Sequence, residues 1–236
     1  MNRFYTTLLF LLPLIGSYAQ ITCTPNANAM ALAQLLAGNG VTVSNAVLTC
    51  PSGAAGTFTT NSCNLLMQQG LILTTGNVNT VAGPNIAGSS GIDNNGAGDA
   101  DLDGLTAATT HNACVLEFDM QILSDSVEFR YSFGSDEYNE YVCSGFNDIF
   151  AFFISGPGIA GQQNIALIPG TNIPVSINSV NNGSVGMYGT AGSCTSLAYS
   201  NYFIDNTSGT CLEYDGVTKV LTAKKKGLQP CQTYHL

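Results

Sequence analysis

The 236-residue chain has no tryptophan, only two histidines (His111 and His235), and six basic residues against fifteen acidic ones. Each shortage excludes something. Without tryptophan the best flat platform for a sugar ring is missing. Serine-protease chemistry needs a positioned histidine, and neither His111 nor His235 accompanies a Gly-x-Ser-x-Gly elbow. A net charge of −9 and a pI near 4.3 leave no extended basic surface for nucleic acid or anionic membranes. The one basic run, Lys224 to Lys226, reads as a solvated loop. No Cys-x-x-Cys occurs, which argues against zinc ribbons and thioredoxin-type redox motifs. No apolar run approaches the roughly 20 residues a membrane span needs. The stretch Leu8–Ile15, broken by Pro13, instead follows Arg3 and precedes Ser17-Tyr18-Ala19. That is the pattern of a secretory signal peptide over residues 1–19, cleaved before Gln20, so a secreted or cell-surface location is expected.

The eight cysteines fit export. All follow the cleavage point, and an even number in an exported chain implies disulfides. Eight cysteines allow 105 pairings; the expected ones are Cys50–Cys63, Cys143–Cys194 and Cys211–Cys231. A helix is predicted over 26–37, capped by Asn26 or Asn28 and ended by Gly38-Asn39-Gly40. Strands are predicted over 42–48, 71–75, 114–120, 126–133, 164–168 and 175–180. The run 149–154, apolar on both faces, reads as a central strand, and 212–221 as a hairpin turning at Asp215-Gly216. Residues 76–112 form a long Gly-, Asn- and Asp-rich loop, which needs a clip to stay ordered. The fold expected is mainly β: an antiparallel, jelly-roll-like sandwich with one short N-terminal helix, stabilised by disulfides, as a single domain over 20–236.

Acid is concentrated. Between Asp93 and Asp148 lie twelve acidic residues and a single basic one, Arg130. Carboxylates so crowded repel unless something positive joins them, which points to an external cation. Asp99, Asp101 and Asp103 alternate and are followed by Gly104, a spacing suited to the oxygen ligands of Ca²⁺. The twelfth position is Thr110 rather than glutamate, so this is no EF-hand. The remaining ligands would come from Asp136, Glu137, Glu140 and Asp148. The plain alternative is a solvated acidic loop. Glu137 and Glu140 also resemble a glycosidase pair, but a shared cation would hold both ionised, so a non-catalytic role is preferred. Tyr138 and Tyr141 beside the acids are candidate contacts for a glycan or protein ligand. Asn182-Gly-Ser and Asn206-Thr-Ser match the glycosylation sequon.

One stretch is specific beyond composition. Phe133-Gly-Ser-Asp-Glu-Tyr-Asn-Glu-Tyr-Val-Cys-Ser-Gly-Phe-Asn-Asp-Ile-Phe-Ala-Phe-Phe-Ile-Ser-Gly-Pro-Gly158 resembles the signature of the choice-of-anchor L domain of bacterial surface proteins. Gly38–Asn45, Gly70–Asn77, Gly98–Leu102, Val115–Phe118, Asn164–Gly170 and Val175–Asn178 fit the same resemblance in order. It implies an exported N-terminal module of a longer protein, named for varied C-terminal anchors, with adhesion or extracellular binding as the inferred role. Family members continue beyond the Cys231–His235 point, so the domain is expected to be incomplete at its C-terminus. The function expected is a secreted or surface module for adhesion or ligand binding, stabilised by calcium. The alternatives are a carbohydrate-active hydrolase and a structural spacer.

Overall fold

Period-two alternation governs most of the chain, and short strands follow it. The computed structural model describes residues 20–61, 63, 65 and 67–236; the predicted signal peptide lies outside them. The elements run β1 (Gln20–Pro25), α1 (Ala29–Leu36), β2 (Val41–Thr49), β3 (Ala55–Asn61), β4 (Gln69–Leu73), α2 (Ala100–Asp103), β5 (Val115–Ile122), β6 (Ser126–Tyr131) and β7 (Gly134–Ser135). They continue with β8 (Ile149–Phe150), β9 (Phe153–Ser155), β10 (Gln162–Asn164), β11 (Val175–Ser176), β12 (Phe203–Asp205), β13 (Gly216–Thr218), β14 (Leu221–Lys226) and β15 (Thr233–His235). The strand pairings described are antiparallel.

The main core lies where a five-stranded sheet, ordered β10-β9-β15-β5-β2, meets the β14–β6 pair. On β5, Phe118, Met120 and Ile122 point inward while Glu117, Asp119 and Gln121 point outward. On β6, Val127, Phe129 and Tyr131 do the same, and Leu221 and Ala223 of β14 join them. Both inner faces are thus apolar, and burying them supplies the main driving force. Phe129, Tyr131, Phe150 and Phe152 stack as one aromatic group inside this layer. A smaller sheet, β1-β3-β4, covers a second core built on Ile21, Phe58, Val81 and Leu212.

The helix is shorter than predicted. Asn28 caps it through Oδ1, which accepts the Ala31 N–H at 3.0 Å. The 149–154 run is not one strand. Asn164 Oδ1 takes the Phe152 N–H, so the chain leaves one ladder and joins another: β8 pairs with β11, and β9 with β10 and β15. Predicted strands 164–168 and 175–180 are mostly irregular. The Ser179 hydroxyl bends the second by accepting the Ser176 N–H. Asp215-Gly216 is not a turn either, because Gly216 opens β13 between β12 and β7. Lys224 to Lys226 is strand rather than loop. It lies opposite Ser126–Glu128, with Lys224 paired to Glu128 at 2.7 Å.

The disulfides are Cys50–Cys114, Cys63–Cys211 and Cys143–Cys194. Two of the three expected pairings are corrected, because the ladders rather than sequence proximity choose partners. Thr49 stands opposite Val115 in the β2–β5 ladder, which sets Cys50 beside Cys114 with their Cα atoms 4.1 Å apart. Cys63 reaches Cys211 within the smaller core. Cys231 is left free and exposed, and Cys23 free and half-buried. A non-reducing peptide map of the folded protein is therefore expected to return these three bridges. Alkylation at mildly basic pH should label Cys231 first and Cys23 slowly, since burial raises the Cys23 thiol. Equal labelling rates, or a Cys211–Cys231 peptide, would overturn the assignment.

Candidate functional site

The alternating aspartates take up local tasks. Asp99 is the N-cap of α2 and accepts the N–H groups of Asp101 and Leu102 at 2.9 and 3.1 Å. Asp103 Oδ1 accepts both the N–H (2.6 Å) and the hydroxyl (2.7 Å) of Thr110. Asp101 reaches Gln162 at 3.2 Å. A short helix, rather than a tight extended loop, turns the three carboxylates in different directions. The 76–112 loop is held by such bonds. Asp93 binds the Asn95 N–H and the Asn112 amide, and Asn94 donates to the carbonyls of Thr75 and Gly76. Hydrogen bonds from Asn112 and Thr110 hold Asp93 and Asp103 respectively below the usual carboxylate range.

The second acidic group faces elsewhere. Asp136 feels Asp215, Glu137 and Glu213, the outer two being carried on the segment that leads into β13. Glu213 and Asp215 are only 5% and 4% exposed. Residues 85–90 wrap them: Glu213 accepts the Ile86 N–H and the Ser90 hydroxyl, and Asp215 Oδ1 accepts the Asn85 amide at 2.7 Å. Burial first, then these neighbours, pushes Asp136 up to about 7, and its Oδ1 is buried without a hydrogen-bond partner. Burial likewise raises Asp215. Glu140 is exposed, with its carboxylate turned towards Gly88 beside Asp215.

Ser135 shows how the pocket balances its charge. Its Oγ lies 2.5 Å from Glu137 Oε2 and 2.8 Å from Asp148 Oδ2, and it accepts the Glu137 N–H at 3.0 Å. A hydroxyl has one hydrogen and two lone pairs. All three bonds close if Ser135 donates to Glu137 and accepts from a protonated Asp148. Burial and the Glu137 charge both raise Asp148, in the same sense. Glu213 and Asp215 were missed in the sequence because they were read as hairpin. The available signal was their alternate spacing in a stretch with no basic residue. Among the described residues no group of three or more His, Cys, Asp or Glu side chains is arranged to hold a metal ion.

The two tyrosines part company. Tyr138 is fully buried, donates its hydroxyl to the Val180 carbonyl at 2.6 Å and packs on Phe203. It is a core residue, and its expected ligand contact is corrected. Tyr141 lies at the surface, stacked on Tyr188 (centroids 4.9 Å apart) and edge-on to Phe146 (5.2 Å). Phe146 is 66%, Tyr188 60% and Met187 80% exposed. The two loops that carry these rings are joined by Cys143–Cys194 and by main-chain bonds from Gly186 to Val142, Tyr188 to Glu140 and Thr190 to Cys143. A Cβ on Gly186 or Gly189 would collide with the carbonyl oxygens of Glu140 and Val142, so only glycine permits this approach. Of the two sequons, Asn182 is exposed, whereas Asn206 is buried with its amide donating to the Leu212 and Tyr214 carbonyls.

The family model described as the Choice-of-anchor L domain matches residues 21–236. No curated protein and no solved structure shows a significant match.

The raised carboxyls fix a pH dependence. A carboxyl whose folded pKa exceeds its unfolded value binds protons more tightly when folded. Its contribution is therefore most favourable when protonated and falls as pH rises from about 4 through about 7, the Asp136 window. Thermal unfolding in metal-free buffer should give a higher Tm near pH 5 than near pH 8, by several degrees, and Asp148→Asn should narrow the gap. A Tm that climbs steadily towards pH 8 would contradict the protonated pocket.

Proposed function

The chain belongs to the choice-of-anchor L domain family, and from that premise we propose that it is a non-catalytic module exposed outside the cell, serving adhesion or ligand binding. The family itself indicates a surface-associated module, and three disulfides fit an extracellular or surface location. No helix among the described residues is long and apolar enough to cross a membrane. The observation that carries the binding reading is the ring cluster Tyr141–Phe146–Tyr188, its outer two rings largely exposed, placed on disulfide-joined loops beside a carboxylate pocket. Large apolar side chains held this far out of a core mark interaction surfaces. Protease shaving of intact cells should release fragments of the protein. Cells lacking it should lose attachment to surfaces coated with extracellular glycan or protein, and the wild-type chain should restore it. Protection from protease on intact cells, or unchanged attachment, would sink the reading.

Calcium belongs to the same proposal. Asp136, which lies among Glu137, Asp148, Glu213 and Asp215, offers a hard oxygen donor of the kind Ca²⁺ takes, and its buried Oδ1 has no partner; the neighbouring carboxylates form no preassembled cage among the described residues, so a cation would have to draw them in. A divalent cation held there would replace protons as the source of neutralisation. At about a hundred times its Kd, a ligand bound only to the folded state adds roughly 2.7 kcal/mol. That corresponds to a Tm rise of roughly 5–10 °C for a chain of this size. The rise is expected near pH 8 in excess Ca²⁺ relative to chelator, and should disappear in Asp136→Asn. Identical melting in the two buffers would rule calcium out.

A further inference from the structure

Residues 131 to 218 contain seven carboxylates (Asp136, Glu137, Glu140, Asp148, Asp205, Glu213 and Asp215) and no lysine, arginine or histidine. Both loops of the exposed ring cluster lie in that stretch. The main-chain carbonyl of Glu140 accepts the Tyr188 N–H, and Glu140 directly precedes Tyr141, so this exposed carboxylate sits at the border between the rings and the acidic pocket. No cation pairs with Glu140 among the described residues. We propose that the Tyr141–Phe146–Tyr188 corner, with Glu140 beside it, is a docking surface for a cationic segment of a partner protein that presents lysine or arginine side chains to the ring faces. This rests on the reading of the chain as an extracellular binding module and names the chemistry of its partner.

Three features carry it. The rings contribute nothing to the buried cores: Phe146 and Tyr188 leave most of their surface in water, so their placement serves something outside. They are held stiffly by the Cys143–Cys194 bridge and the Gly186 and Gly189 contacts, so little freedom is lost when a ligand arrives. The charge decides the class. Ring faces attract cations, and a neighbouring carboxylate with no counter-ion strengthens that attraction. A neutral sugar would gain nothing from the uncompensated charge, and few amides here are free to donate to its hydroxyl oxygens. Here Asn182 donates to Asn139 at 3.0 Å, Asn147 accepts the Asn178 N–H, and Asn178 is committed to Cys143 and Ser144.

The test uses a fluorescent oligolysine peptide and the same peptide acetylated on every lysine, titrated against the protein by anisotropy in low salt. Wild type should bind the first and not the second. Phe146→Ala and Tyr188→Ala should each weaken binding about two- to fivefold, as expected for exposed cation–π contacts. Glu140→Gln should weaken it similarly. Asp125→Asn, an exposed acid in the β5–β6 turn, should leave it unchanged. Unaltered melting curves would show that the surface variants fold. Ring variants that bind as wild type would overturn the proposal, because general acidity would then account for capture. So would ring-dependent binding of chitohexaose, which makes the surface a glycan site, or ring-dependent self-association in sedimentation, which makes it a contact between copies. Any of these results leaves surface exposure and attachment standing, so the two readings fail separately.

Discussion

Burying carboxylates without positive partners costs free energy unless each finds donors or a proton. This chain buries Glu213 and Asp215 almost completely and brings Asp136 against them, with Glu137 and Asp148 on the other side of Asp136, across a stretch with no basic side chain. Much else follows from that constraint. Residues 85–90 supply the amide, N–H and hydroxyl that Glu213 and Asp215 need. Ser135 sits where a single hydroxyl can bridge Glu137 and a protonated Asp148. The polar loop 76–112 is tied to β10 through Gln162 and Asp101, and to itself through Asn112.

The scaffold makes this arrangement affordable by keeping the cost at one end. The sandwich core between the five-stranded sheet and β6–β14 is built from alternating apolar residues and needs no charged group inside. The basic residues Arg130, Lys224, Lys225 and Lys226 lie along β6 and β14, where Lys224 meets Glu128 and Lys225 meets Gln163. Of these only Lys224 meets a carboxylate among the described residues, and all four stand outside the acidic stretch 131–218. The segment that leaves β6 towards the acidic pocket carries none. The separation of basic strand face from acidic loop end is thus written into which strands hold the lysines.

Much of this was legible in the residues. Strict alternation in 114–120 and 126–133 gave the two central strands and their inward sides, because period two has one structural meaning when one face is buried. The helix cap, narrowed to Asn26 or Asn28, and the family signature at 133–158 were legible for similar local reasons. What was hidden depended on distant partners. The Asp99–Asp103 spacing suits metal and helix capping alike, and only the α2 conformation separates them. The pairings of Cys50 and Cys63 follow from ladder register, which no spacing reveals. Glu213 and Asp215 join the pocket through β13 pairing with β7, a contact across roughly eighty positions of sequence. Tyr138 and Tyr141 look equivalent in the chain, yet one seals a core and the other stands outside it.

That last contrast bears on how the surface works. Tyr131, Phe150, Phe152 and Phe129 show what this fold does with aromatic rings it needs for stability: they stack against one another within the layer of the main core. Tyr141, Phe146 and Tyr188 pack with similar centroid spacings, but outside the buried cores, with Phe146 and Tyr188 largely exposed. Similar ring geometry thus occurs in two environments, one inside the core and one at the surface. The outer rings gain from one another what a small cluster gains, and the remaining apolar face stays available. Because the acidic pocket lies next to them through Glu140, neutralisation inside the pocket and attraction at the ring faces share one electrostatic field. Protonation of Asp136 or Asp148 removes negative charge from the neighbourhood of Glu140 and the rings. The pH at which the pocket is most stable is therefore the pH at which its negative field is weakest.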